Sequence, residues 1–143
     1  MNQVFPAARV VLDTNVLIAA VRSPRSASRR IIEACCDGRL TALVSDPLIR
    51  EYDFIRSRAL RGTEDGGLLD ELLRRAHRVE ADAAQHAVPE DPDDSKVLAT
   101  AADGGADVLV SNDRHLLRFD PYGALRIMRP ADAWDRFGKP LDT

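Results

Sequence analysis

The sequence predicts an α/β/α sandwich built on a mostly parallel sheet. Short runs rich in Val, Leu and Ala alternate along the chain with segments whose apolar residues recur at helical spacing, and such alternation gives parallel strands joined by crossover helices. Gly, Pro and capping residues mark the boundaries between them. A third observation bears on function as well as fold. The first apolar run, Val10-Val11-Leu12, ends at Asp13, and in open α/β sheets ligands bind outside the carboxyl ends of the strands.

Residues 9–13 form the first predicted strand. Thr14 or Asn15 can cap the helix after it, where Val16, Leu17, Ala20 and Val21 share a face, and Ser23-Pro24 ends it. A second helix spans about 26–37, with Ile31, Ile32 and Cys35 inward and Gly38 as its stop. Residues 41–45 read as a strand. Asp46-Pro47 reads as an N-cap followed by Pro at the first helical position, and Leu48, Ile49, Tyr52 and Ile55 then recur helically. Residues 62–67 read as a loop, 68–77 as a helix, the region of Val79 as a weak strand, and 85–92 as a Pro- and Asp-rich loop. Asp93-Asp94 opens a helix carrying Val97, Leu98, Ala101 and Ala102, stopped by Gly104-Gly105. Asp107–Ser111 is a strand, 114–117 a short helix, 125–128 the last strand and 130–137 the last helix.

With 143 residues, 45% apolar and 30% charged, the chain is expected to be one globular domain over 1–143, with its core at about 9–137. A net charge of −3 argues against a general electrostatic grip on nucleic acid, but not a local one. All but Lys96 and Lys139 of the 20 basic residues are Arg, which suits phosphate geometry. Cys35 and Cys36 are adjacent and have no third partner, which fits a reducing compartment. Neither a membrane span nor a signal peptide is legible, so a cytoplasmic location is expected.

The candidate chemistry lies in carboxylates. Asp13 and Asp113 each follow an apolar strand and share one edge of a parallel sheet, whereas Asp107 opens its strand and falls on the opposite edge. Asp94 precedes Val97 and Leu98 by three and four residues, which places it on an inward stripe; Glu51 borders another. Acids converging on a packed interior repel one another and are desolvated, unless a cation lies among them. Oxygen donors suit Mg²⁺ or Mn²⁺, and no His/Cys spacing for zinc is present. Taken singly, each acid has a plainer role: Asp13 and Asp113 as caps, Asp94 as an acid at a helix start, Glu51 as a solvated side chain. Asp91 and Asp93 compete with Asp94 within one acidic loop. His77, His86 and His115 share no ligand spacing and read as surface or satisfied residues. Arg22, Arg25, Arg29 and Arg30 read as a charged face, with a phosphate track as the functional alternative.

Four stretches in this order and spacing resemble a PIN domain, and more narrowly the VapC-type toxins of toxin–antitoxin systems: Val11-Leu12-Asp13-Thr14-Asn15, Ser45-Asp46-Pro47-Leu48-Ile49-Arg50-Glu51, Asp91-Pro92-Asp93-Asp94-Ser95-Lys96-Val97-Leu98-Ala99 and Leu109-Val110-Ser111-Asn112-Asp113. The resemblance spans about 9–137. It implies a five-stranded parallel sheet with helices on both faces, and a ribonuclease dependent on Mg²⁺ or Mn²⁺. The family's acids carry over onto Asp13, Glu51, Asp94 and Asp113; Asn15 matches the residue that orients the first Asp, and Ser111 stands where Thr is frequent. Thr100, six after Asp94, favours Asp94 over Asp91 and Asp93 as the ligand. Ser95 departs from relatives that carry another Asp there, and the match over 52–67 is weak. The resemblance further implies an RNA substrate, a small antitoxin partner and, commonly, a homodimer. The competing expectations are a PIN fold that binds RNA or protein without catalysis, and a phosphatase using Asp13 as nucleophile. The latter usually wants an Asp where this chain has Asn15.

Overall fold

The computed structural model describes residues 7–58 and 66–139. Five parallel strands form one sheet in the order β3-β2-β1-β4-β5: β1 (Ala8–Leu12), β2 (Leu40–Val44), β3 (His77–Arg78), β4 (Val108–Val110) and β5 (Arg126–Met128). Val10 lies beside Ala42 on one side and Val108 on the other, which fixes the register of the central strands. Val10, Val11, Leu12, Val108, Leu109 and Val110 are all buried. Burial of successive residues, which point to opposite faces, requires both faces of the sheet to be covered.

The covering helices are α1 (Thr14–Arg22), α2 (Ala27–Cys36), α3 (Asp46–Arg58), α4 (Gly66–Arg75), α5 (Pro92–Asp103), α6 (Arg114–Leu117) and α7 (Pro130–Ala133), the last running into a π turn over Trp134–Gly138. α2 packs against α1, α4 and that turn, while α5 packs against α3, α6 and β1. Gly38 adopts φ +87° after α2, a conformation that favours glycine and explains why the helix stops there.

Several boundaries differ from the sequence reading. Asp13, rather than Thr14 or Asn15, caps α1: its Oδ1 accepts from Thr14 N at 2.8 Å. Ser45, rather than Asp46, closes the start of α3, accepting from Leu48 N at 3.4 Å. Asp46 is thereby freed to pair with Arg78 at 2.9 Å. α4 begins at Gly66, so Gly66 and Gly67 are helical; the rest of the expected 62–67 loop lies outside the described residues. β3 forms at His77–Arg78, just before Val79, where Leu43 and Val44 offer a free edge. The last helix widens to π winding after Ala133, which lays Gly138 on Trp134; a Cβ there would come within 2.1 Å of the indole.

The strand order places the site. The chain builds β1, β2 and β3 outward in one direction, then crosses to β4 on the other side of β1. The connections therefore diverge at the carboxyl ends of β1 and β4, and a crevice opens there.

Candidate active site

Asp13 follows β1 directly, and its backbone N–H extends the ladder to Val110 O at 3.0 Å. Asp13 is 4% exposed, and its carboxylate is well supplied with donors. Besides Thr14 N on Oδ1, its Oδ2 accepts from Ser111 Oγ at 2.6 Å and from Asn15 Nδ2 at 3.1 Å. Ser111 Oγ in turn accepts from Asp113 N at 2.9 Å, and Asn15 Oδ1 accepts from Asn112 N at 3.2 Å. Asn15 and Ser111 thus tie the end of β1 to the end of β4. Burial nevertheless raises the Asp13 pKa; these donors oppose the rise and the Asp113 charge adds to it. Replacing Ser111 with Ala should leave Asp13 mis-oriented and Asp113 N unpaired. The expected result is a 10- to 100-fold loss in metal affinity, read by calorimetry against a largely preserved fold.

Asp94 arrives from the other side. Asp91 caps α5 by accepting from Asp93 N at 3.0 Å, and Pro92 holds the first helical position. Asp94 then falls on the same buried stripe as Val97, Leu98 and Ala101. It is 5% exposed, and its Oδ2 is buried without a hydrogen-bond partner. Potential ligand atoms of Asp94, Asp113 and His115 all lie within 4.8 Å of one another. Burial first, then hydrogen bonding with the Asp113 carboxylate and repulsion from Asp13 and Asp113, pushes the Asp94 pKa well up.

Glu51 comes from α3, whose buried Tyr52 donates its hydroxyl to Leu12 O. That bond pins α3 to the end of β1. Lys96 Nζ stands 3.4 Å from Glu51 Oε1 and 3.2 Å from Asp93 Oδ1. Burial, helped by the Asp93 charge and opposed by Lys96, raises the Glu51 pKa to about 7.

Asp13, Asn15, Glu51, Asp94 and Asp113 line a single cavity of about 500 Å³, with Asp91 and Asp93 at its wall. Ser111 is buried beneath it, behind Asp13. Arg22, Arg25 and Arg29 do not line this cavity. Arg22 ends α1, roughly 12 Å along the axis from the Asp13 end at 1.5 Å per residue. Arg29 folds back, with Nη1 3.5 Å from Ala20 O and Nε 4.0 Å from Glu33. Ser95 faces away from the acids: its hydroxyl accepts from Val88 N at 2.7 Å and steadies the loop before α5.

Arg50, Phe54 and Lys96 at the site were not among the sequence candidates, and His115 reads from sequence as a surface or satisfied residue. Arg50 and Phe54 line the cavity beside Glu51; Phe54 follows Glu51 by three residues and Arg50 by four, so helical spacing could have indicated both. His115 reaches Asp94 and Asp113 because it sits two residues past Asp113 in the first turn of α6, a helix too short for periodicity to be read.

A family model described as the PIN domain matches residues 9–115. The chain belongs to the PIN-domain family. Two solved structures share the fold of this PIN domain. VapBC2 from Rickettsia felis, bound to a DNA fragment from its promoter, aligns with a TM-score of 0.57 and 17% identity, covering 83% of this chain and 98% of that one. PAE2754 from Pyrobaculum aerophilum aligns with a TM-score of 0.58 and 19% identity, covering 92% of each chain. No curated protein matches the sequence. No helix among the described residues is long and apolar enough to cross a membrane.

Proposed function

We propose that this PIN domain is a metal-dependent ribonuclease that hydrolyses RNA phosphodiesters and serves as the toxin of a toxin–antitoxin pair. The observation that carries the metal is the Asp94 carboxylate. One Asp94 oxygen is buried without a donor, and a ligand atom of the same carboxylate lies within 4.8 Å of ligand atoms on Asp113 and His115, so ionising Asp94 there is costly unless a cation completes the group. The donors are hard oxygens with one imidazole, a set that suits Mg²⁺ or Mn²⁺. Asp94, Asp113 and His115 lie close enough to share the ion, and Asp13 and Glu51, which line the same cavity, would complete the acid set directly or through water. A bound divalent cation would supply Lewis acidity to a phosphate oxygen and make water a better nucleophile at neutral pH.

The chain's own residues supply the rest. Ser111 and Asn15 keep the Asp13 carboxylate aimed. Burial holds the Glu51 pKa at about 7 in the absence of a cation, so metal binding beside it would displace a proton near neutral pH. Family membership and the acid geometry support the nuclease. The antitoxin partner is supported by the family resemblance and by the shared fold with VapBC2.

The direct test is cleavage of a mixed RNA pool by purified protein with Mn²⁺, Mg²⁺ or EDTA, beside Asp13→Asn. Cleavage should require the metal and disappear in the variant. Equal cleavage by the variant would assign the activity to a contaminant. Silence without metal binding would favour a PIN fold that acts by binding alone.

A further inference from the structure

The side of α3 that faces the cavity carries more than an acid. Arg50, Glu51, Phe54 and Ile55 all line it, spaced so that they share one side of the helix. Phe54 is 56% exposed, and no other large apolar side chain among the described residues is exposed. A single exposed aromatic side chain is unremarkable on a general surface. This one stands one helical turn from Glu51, at the wall of a cavity floored by carboxylates. The Arg58 guanidinium lies 5.0 Å from its ring centroid and still leaves the ring more than half exposed. Arg50, also exposed, has no ion-pair partner among the described residues.

We propose that Phe54 is a stacking platform for an unpaired nucleobase and that Arg50 holds a neighbouring phosphate, so that these two side chains grip the strand presented to the acids. The proposal rests on the nuclease reading for the position of the scissile phosphate, among the acids, but its binding step does not require catalysis. A flat ring beside guanidinium groups combines the two elements that grip single strands: a π face for any base and positive charge for the backbone. The faces of paired bases are already covered within their own stack, so Phe54 can engage only a base that is free. The cavity volume of about 500 Å³ falls in the range of small-ligand sites. The acids of the lining outnumber its cations, so a polyanion enters only with the divalent ion of the nuclease reading; given that ion, a strand with planar bases suits both the exposed ring and Arg50, whereas an apolar peptide leaves Arg50 unmatched.

The test changes residue 54 in two backgrounds. In an Asp94→Asn background, anisotropy reads the affinity for a short unpaired oligoribonucleotide and for the same strand in a duplex. Phe54→Ala should weaken unpaired binding roughly 5- to 150-fold and leave duplex binding unchanged. Phe54→Trp should retain affinity, and Phe54→Leu should fall with Ala. In the otherwise wild-type enzyme, Phe54→Ala should raise KM by a similar factor with kcat nearly constant. Leu performing as well as Phe would overturn stacking in favour of a plain apolar contact, such as a peptide partner makes. Affinity indifferent to residue 54 would overturn it outright, even with metal-dependent cleavage intact. The predicted affinity pattern in a protein that never cleaves RNA would uphold stacking and sink the nuclease reading instead.

Discussion

Asp94→Asn should reduce RNA cleavage by about 10³-fold or more and yet leave the metal-free protein at least as stable as the parent. Both parts come from the same carboxylate. Losing several kcal/mol of charge stabilisation in the transition state corresponds to about three powers of ten in rate. In the absence of metal, however, Asp94 is a buried acid close to Asp113 and repelled by Asp13. An amide of the same shape removes that repulsion and can donate a hydrogen bond into a site rich in acceptors. Melting in EDTA should therefore rise, by about 3 °C per kcal/mol relieved, most clearly above the raised pKa of Asp94, where the parent carries the charge and the variant does not. Leu98→Ala provides the contrast. Leu98 is buried on the same helix, and its truncation should cost about 2–5 kcal/mol with or without metal. If Asp94→Asn melted as low as Leu98→Ala in EDTA, the carboxylate would be a structural residue and its assignment to the metal would fail.

The second large effect concerns metal and pH together. Mn²⁺ or Mg²⁺ at 100 times its dissociation constant should stabilise the fold by about 2.7 kcal/mol, because the unfolded chain offers no assembled cluster. Without metal, Asp13, Asp94 and Glu51 all have pKa values above their ordinary range, Glu51 at about 7. Between their unfolded values near 4 and these raised values, the native state binds more protons than the unfolded one. Stability must then fall as pH rises from about 5 to 8. A bound cation replaces those protons, so its affinity should rise over the same interval and the melting temperature should flatten. Scanning calorimetry across that range, in EDTA and in excess Mn²⁺, checks both slopes. A metal-free melting temperature that climbs with pH would show that the acids are not mutually destabilised.

Much of the fold was legible because its signals are local. Val10–Leu12 and Val108–Val110 are short β-branched-rich runs bounded by polar residues, which read as buried strands, and Asp107 lies on the far edge as its position predicted, accepting from Arg9 N at 2.8 Å. The four acids share a cavity because strand ends and helical stripes are periodic features of sequence. Other features escaped for physical reasons. Whether Asp13 or Thr14 caps α1 depends on which oxygen reaches a backbone N–H, a matter of side-chain rotamer rather than residue type. Arg22 is near Asp13 along the chain, but α1 carries it to its opposite end, and neither it nor Arg25, in the turn beyond, lines the cavity. His115 joins Asp94 through the placement of α6, which no spacing within the chain encodes.

The position of β4 beside β1 also sets when the acid cluster can exist. Ser111 and Asp13 are 98 residues apart along the chain, and their hydrogen bond joins the two central strands. Contacts of such long sequence separation form only after the intervening chain has been made and folded back. A growing polypeptide emerges from its N-terminus. It therefore displays Asp13 and Glu51 early, Asp94 late, and Asp113 with its Ser111 support later still. A fragment ending before Val108 lacks the strand that brings Asp113 to Asp13. Translation itself thus acts as a timer, keeping the nascent chain without a complete centre through most of its own synthesis.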